Sequence, residues 1–456
     1  MIDSRFNRFD YAVWGTLTGL TLAIALVWFS GDNVGLSAPD TYPPNGQSAS
    51  AFVHPTITFL EPMQFATVET RFTITPSVPG RFDWPTDSQL TFIPNRALTP
   101  GERYTVTLAA GSLSAQGVEV LDDLTWQFTV RQPAIVYMSP AIGPRELYRL
   151  DAPGATPRPL TDTGGLIYDF DTATDGWLIA YGRYNEQNGI DVWLTDGDGS
   201  NHRMLVECGP DRCYDYAFSP DHTRIAFSRE RAQAAAPNAP PRLWTVDLQS
   251  GEAAQVFQDN NILGYSPSWS PDGTKLAFFD GGEGAIRVLD LRTSQQSILP
   301  SWLGMMGAWS PTGDAMLFND LDRSNPNLPG VVVYRVLFET EQVTPALTPT
   351  DTIASYSVPV WSPNGEWLAI AIQPTVGGPG AQLWLMRPDG SEARPIAADT
   401  GYTYGSYRWD PWGETVVYQR FQLSTPNATP EVLQWTLATG EVISLIDNAT
   451  TPRWLP

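Results

Sequence analysis

Histidine and cysteine are nearly absent: the 456 residues hold three of the first and two of the second. His54, His202 and His222 fall in a linker, an outer turn and a repeat turn. That leaves little support for a Ser-His-Asp triad or a histidine-rich metal site. There is no Gly-x-Ser-x-Gly elbow, no phosphate loop and no dinucleotide fingerprint. No catalytic residue, metal or cofactor is assigned, and the expectation is a protein that is not an enzyme. Basic residues are scarce as well: 27 Lys and Arg stand against 49 Asp and Glu, a net charge of -22. An acidic surface repels phosphate backbones, so no nucleic-acid partner is expected. Charged residues make up only 17% of the chain, and helix-period patterns are missing beyond the N-terminus. What is plentiful is Gly (38), Pro (40) and aromatics (12%). That mixture predicts an all-β chain of many short strands and tight turns.

One long apolar run exists, Tyr11 to Phe29, without a charged residue. As a helix it spans roughly 28 Å, close to the hydrocarbon thickness of a bilayer. It predicts a transmembrane helix over residues 11–31. A cleaved signal peptide or a buried helix is the alternative, but Leu36 fits the small-residue cleavage pattern poorly. Arg5 and Arg8 precede the run and no Lys or Arg follows until Arg71. The positive-inside rule then makes residues 1–10 a cytoplasmic tail and places the bulk of the chain outside a cell membrane. Gly15 and Gly19 form a GxxxG, which could support a weak dimer. Residues 32–54 lack periodicity and read as an extended linker.

Residues 55–131 carry about seven short β-type runs in roughly 75 residues, which suits a small β-sandwich. In Tyr104-Thr105-Val106-Thr107-Leu108 large side chains alternate with threonines. The run "LTPGERYTVTLAAG" with the later "WQFTV" resembles the bacterial Ig-like domain of S-layer and surface proteins. The resemblance implies a spacer or adhesion module.

The rest of the chain is repetitive. A large residue, a Pro-containing turn and an apolar strand recur at Phe218 ("FSPDHTRIAF"), Trp269, Trp309, Trp361 and Trp409 ("WDPWGETVVY"), and Trp454 falls where another large residue is due. A worn copy, "TATDGWLIAY", begins at Thr172. Intervals of roughly 40 to 50 residues with strand patterning predict a β-propeller over 132–456. Ser, Pro and Gly suit positions i, i+1 and i+3 of a type I turn. The large residues should wedge between adjacent blades. "AIVYM" at Ala134 lacks a preceding strand, while the tail around Trp454 lacks followers. The tail can therefore complete the first blade, giving seven blades; six is the runner-up, because the Thr172 copy has lost its Trp and Ser-Pro. These motifs resemble the TolB-like propellers. That group includes periplasmic scaffolding proteins and the propeller halves of prolyl-oligopeptidase-type enzymes, so the resemblance implies a fold rather than an activity.

Three local features invite function. Asp196, Asp198, Ser200 and Glu207 imitate a calcium loop, but position 6 is Asn201 and the stretch reads as a hairpin. Cys208 and Cys213 are a candidate disulfide, with free thiols as the alternative. Tyr168, Tyr214, Tyr265, Met305, Tyr356 and Tyr404 precede the innermost strands at similar offsets. They form a candidate binding face around the channel, with inter-blade packing as the alternative. The expected function is a membrane-anchored extracytoplasmic scaffold recognising a protein or a cell-envelope polymer. The alternative is a propeller hydrolase or lyase acting on envelope carbohydrate.

Overall fold

The computed structural model describes residues 14–21, 40–232, 239–322, 330–347, 354–374, 380–425 and 428–456. Two compact units divide it, Met1–Arg131 and Gln132–Pro456. Within the first, residues 14–21 are an exposed helix, and Gly15 and Gly19 face open space. The remainder of the predicted span, the tail and residues 32–39 lie outside the described residues. Among the described residues, no helix is long and apolar enough to cross a membrane.

The sandwich has two four-stranded sheets. One orders Asp40–Tyr42, Thr56–Thr58, Gln89–Pro94 and Gly80–Thr86; the other orders Ser48–Ala49, Leu124–Val130, Arg103–Leu108 and Phe72–Thr75. Alternation sends Ile57, Leu90, Val106, Leu108, Trp126 and Phe128 inward, and all are buried. The linker expected over 32–54 is corrected from residue 40 onward. Asp40–Tyr42 pairs antiparallel with Thr56–Thr58, and Ser48–Ala49 pairs parallel with Leu124–Val130. Ala49, Ala51 and Val53 are buried. Two-residue and three-residue edge strands carry too little alternation to be seen in a Pro- and Gly-rich sequence.

From Ala134 to Leu455 the described strands follow one another as antiparallel repeats, in sheets of four strands or, where a parallel pair joins neighbouring repeats, of eight and nine. The fourth is the plainest: Gly264–Trp269, Lys275–Asp280, Ala285–Asp290 and Gln296–Pro300, each paired with the next. Its turn shows why the motif repeats. Gly273 N donates to Ser270 O at 2.8 Å, and Lys275 N donates to Ser270 Oγ at 2.9 Å. Thr274 N donates to the Asp272 carboxylate at 3.1 Å. Gly273 has φ +69°, a left-handed conformation cheap only for glycine. In the third repeat His222 fills that position at φ 55° and bonds across to Thr174 and Asp175 of the preceding turn.

Three of the anchor tryptophans reach backward around the ring, while Trp309 Nε1 and Trp361 Nε1 are buried without a hydrogen-bond partner among the described residues. Trp269 Nε1 donates to Ala217 O at 3.0 Å, Trp409 Nε1 to Val360 O at 3.3 Å and Trp454 Nε1 to Arg408 O at 3.4 Å. Each acceptor lies on the innermost strand of the preceding repeat. Thr172, the worn copy, keeps the link with its hydroxyl, donating to Trp454 O at 3.2 Å. Both faces of each second strand are covered, so Leu276, Ala277 and Phe278 are all buried.

The first repeat is assembled from both ends of the unit. Thr450–Leu455 pairs antiparallel with Ala134–Ser139, placing Trp454 opposite Ile135 and Leu455 opposite Ala134. Glu146–Leu150 and Arg158–Pro159 complete it. Ala134, Val136 and Leu455 then share a buried cluster with Ile167, Phe170, Ile179 and Tyr181 of the second repeat. The edge of Ala134–Ser139 is thereby paired rather than left open.

Candidate site at the innermost strands

The innermost strands are bulged. Register shifts fall between Ile167 and Phe170, Tyr214 and Ala217, Tyr265 and Ser268, Gly405 and Arg408, and Thr450 and Arg453. At these bulges Asp215, Ser266, Ser406 and Thr451 take φ values of 49° to 55°. Such positions are strained for L-residues and re-aim backbone amides.

Those amides link repeat to repeat. Ser266 donates through N and Oγ to the Asp215 carboxylate, each at 3.2 Å, and Ser228 Oγ donates to it at 3.3 Å. Asp215 N in turn donates to the Asp169 carboxylate at 3.0 Å. Burial, with Asp215 as a further charge, pushes the Asp169 carboxyl up to about 7. Burial also raises the Asp215 carboxyl above the ordinary range, against its three hydrogen bonds. One step further round the ring, Asp171 lies 3.8 Å from Arg453, with 28% and 23% of their side chains accessible. Arg453 then lies beside Arg408. Its charge, with burial, pushes the Arg408 guanidinium down to about 9, still cationic at neutral pH. The innermost strands of repeats seven, one, two and three thus carry two arginines followed by three aspartates.

Of the expected aromatic face, the structure brings two members together. Tyr168 and Tyr214 meet edge to face with centroids 6.1 Å apart, and the Arg212 guanidinium lies 5.3 Å above the Tyr168 ring. Both tyrosines are half-buried and neighbour Asp169 and Asp215 in sequence. Tyr265 packs against Phe279 at 5.1 Å instead. Met305 is 46% exposed on the loop before the fifth repeat, where Trp302 is 72% exposed. Tyr356 packs against the cluster containing Leu317 and Ile370. Tyr404 is buried, lies tilted against Tyr418 with centroids 6.0 Å apart and accepts a hydrogen bond from Asp399 N at 3.2 Å. Tyr168, Tyr214 and Tyr265 stand four residues before their anchors, whereas Tyr356 and Tyr404 stand five before. With a side-chain period of two, that difference changes which side of a strand is occupied.

The other candidates are ordinary in geometry. Cys208 and Cys213 are joined by a disulfide. Asp198 accepts hydrogen bonds from Ser200 N and Oγ, as Asp389 does from Ser391, so both stretches are hairpin turns. Among the described residues no group of three or more His, Cys, Asp or Glu side chains is placed to hold a metal.

The repeat geometry defines a β-propeller, carried behind an Ig-like sandwich. Residues 222–450 match the family described as "TolB beta propeller domain", and residues 32–130 match "Bacterial Ig-like domain". The first match spans half of the chain, and the chain belongs to that TolB propeller family. It is 30% identical over 125 residues to the Tol-Pal system protein TolB of Alcanivorax borkumensis, a stretch covering 25% of this chain and 27% of the relative. The match thus reaches only about a quarter of that protein's length. TolB from Acinetobacter baumannii superimposes with a TM-score of 0.43 at 17% identity, over 72% of this chain and 83% of that one. A puromycin-hydrolysing peptidase of Mycobacterium tuberculosis gives 0.50 at 15% identity, over 89% and 57%. At such identities the likeness shows the fold alone.

Proposed function

We propose that this chain is an extracytoplasmic binding protein, held at the cell membrane by residues 11–31, whose seven repeats form a seven-bladed propeller with a recognition face around its channel. The Ig-like module spaces the propeller from the bilayer. The face centres on the Tyr168–Tyr214 pair, with Arg212 above it and Asp169 and Asp215 beside it; Met305 and Trp302 extend it. The carrying observation is that meeting of two half-buried tyrosines at 6.1 Å with carboxylates held on adjacent bulges. Half-buried aromatics flanked by oriented polar groups are what a specific interface uses.

Capture from envelope extracts with the full chain in detergent tests this. Wild type should retain a partner that Tyr168→Ala/Tyr214→Ala loses by at least tenfold, with the melting temperature kept. Equal retention by both would remove the face. The second reading is a hydrolase or lyase with Asp169, whose carboxyl burial pushes up to about 7, as its general acid. Turnover of an envelope glycan that disappears in Asp169→Asn would select it over the scaffold.

A further inference from the structure

The outermost strand of the first repeat is Arg158–Pro159, only two residues long. It is too short to cover the facing sheet of the second repeat. A groove of about 380 Å³ remains there, floored by Leu160 and Tyr181 and walled by Trp193, Arg183, His202 and Asp162. That volume lies at the lower end of the roughly 300–1,000 Å³ of small-molecule sites.

We propose that this groove is a carbohydrate site that takes one pyranose ring of a polysaccharide. Trp193 and Tyr181 are cross-strand partners, and their rings lie 24° from coplanar with centroids 6.4 Å apart. Trp193 is half-buried and gives the apolar plane, which suits the C–H face of a sugar, while Tyr181 is buried and supports it. Around that plane stand unused polar groups of both kinds. The Arg183 guanidinium lies 5.2 Å over the Trp193 ring, without an acidic partner among the described residues. Asp162 is exposed and makes no hydrogen bond or ion pair among the described residues. Arginine only donates and a carboxylate only accepts, so together they match hydroxyls, which do both. A plain apolar or aromatic ligand would leave both groups unanswered. His202 Nδ1 is bonded to the Tyr181 hydroxyl at 3.0 Å, which orients the imidazole at the rim.

The wall is fixed in advance. The Glu146 carboxylate accepts from Thr161 Oγ1, Thr163 N, Thr163 Oγ1 and Gly165 N at 2.5 to 2.9 Å. Thr161 Oγ1 also accepts from Leu147 N at 2.9 Å. The loop bearing Asp162 is therefore held before any ligand arrives, which lowers the ordering cost of binding. The site shares no residue with the channel face.

The test applies the full chain in detergent to an array of neutral and acidic pyranose oligosaccharides, with an acetylated triglycine peptide as the non-sugar arm. The expected result is saturable binding to at least one glycan, competed by its free oligosaccharide. Trp193→Ala should weaken it at least tenfold and Asp162→Asn, an isosteric change at an exposed position, by three- to tenfold. Tyr168→Ala/Tyr214→Ala should leave it unchanged, which separates this site from the channel face. No glycan bound, the peptide bound in preference, or Asp162→Asn binding as tightly as wild type would each overturn the proposal. The Asp162→Asn arm decides even if Trp193→Ala fails to fold.

Discussion

The fourth repeat and the seam of the first and second repeats follow one plan with different outcomes. The fourth keeps every element: Trp269, the Ser-Pro-Asp-Gly turn and four strands contiguous in sequence. Its polar groups are internally matched. Arg287 donates through Nε and Nη2 to the Asp280 carboxylate at 2.9 and 2.7 Å, and both residues are buried. The other Asp280 oxygen accepts from Leu263 N and Gly282 N. The seam departs from the plan. Its first strand comes from the far end of the chain, its outermost strand is cut to two residues, and Thr172 replaces the tryptophan. There lie Asp162, which is exposed, and Arg183, Asp169 and Tyr168, which are partly buried. The comparison teaches that residues obeying the repeat are consumed in making the ring, and residues breaking it remain available for recognition.

The largest way to break the comparison is deletion of residues 450–456. The fourth repeat would be untouched, but the first would lose its innermost strand, Leu455 and Trp454. The expected outcome in urea denaturation is loss of most of the roughly 5–15 kcal/mol typical of a domain. Asp280→Ala comes next. It strands a buried guanidinium and two backbone amides, and should cost about 3–5 kcal/mol in the same measurement. Trp269→Ala should cost about 3 kcal/mol, through lost packing and one hydrogen bond. Thr172→Ala, at the matching position of the seam, should cost only about 1 kcal/mol. Comparable values for the two would refute the claim that the seam has given up its wedge.

The smallest effect is a slope with pH, because water reaches the Asp169 side chain and screens the shift. Its folded carboxyl titrates at about 7, above the ordinary value of about 4 of an unfolded chain. The folded state therefore binds more protons between those limits. This contribution is fully present below about pH 4 and is lost as pH rises through about 7. Asp169→Asn should flatten that part of the profile in thermal melts across pH 4 to 8.

Much of this was legible in the sequence. The Ser-Pro-x-Gly turns and the apolar second strands follow from residue patterns of local range, and the pairing of the tail with Ala134 follows from the strands that each end lacks. Strands at 40–42 and 48–49 were not legible, since they pair with distant partners and carry almost no periodicity. The charges on the innermost strands were equally hidden: Asp169, Asp171, Arg408 and Arg453 look scattered until the ring closes. One signal was available. Asp171, Arg408 and Arg453 each stand one residue before an anchor position, so aligning the repeats on their anchors would have placed them side by side. The groove had no such signal, because it arises from a strand that is too short.

The ring's closure by the tail supports the channel face and the groove alike. Hydrogen exchange on the full chain measures it most directly. Amides of Ala134–Ser139 and Thr450–Leu455 should exchange together, as slowly as those of Lys275–Asp280. Fast exchange confined to 450–455, with 134–139 still protected, would contradict the account.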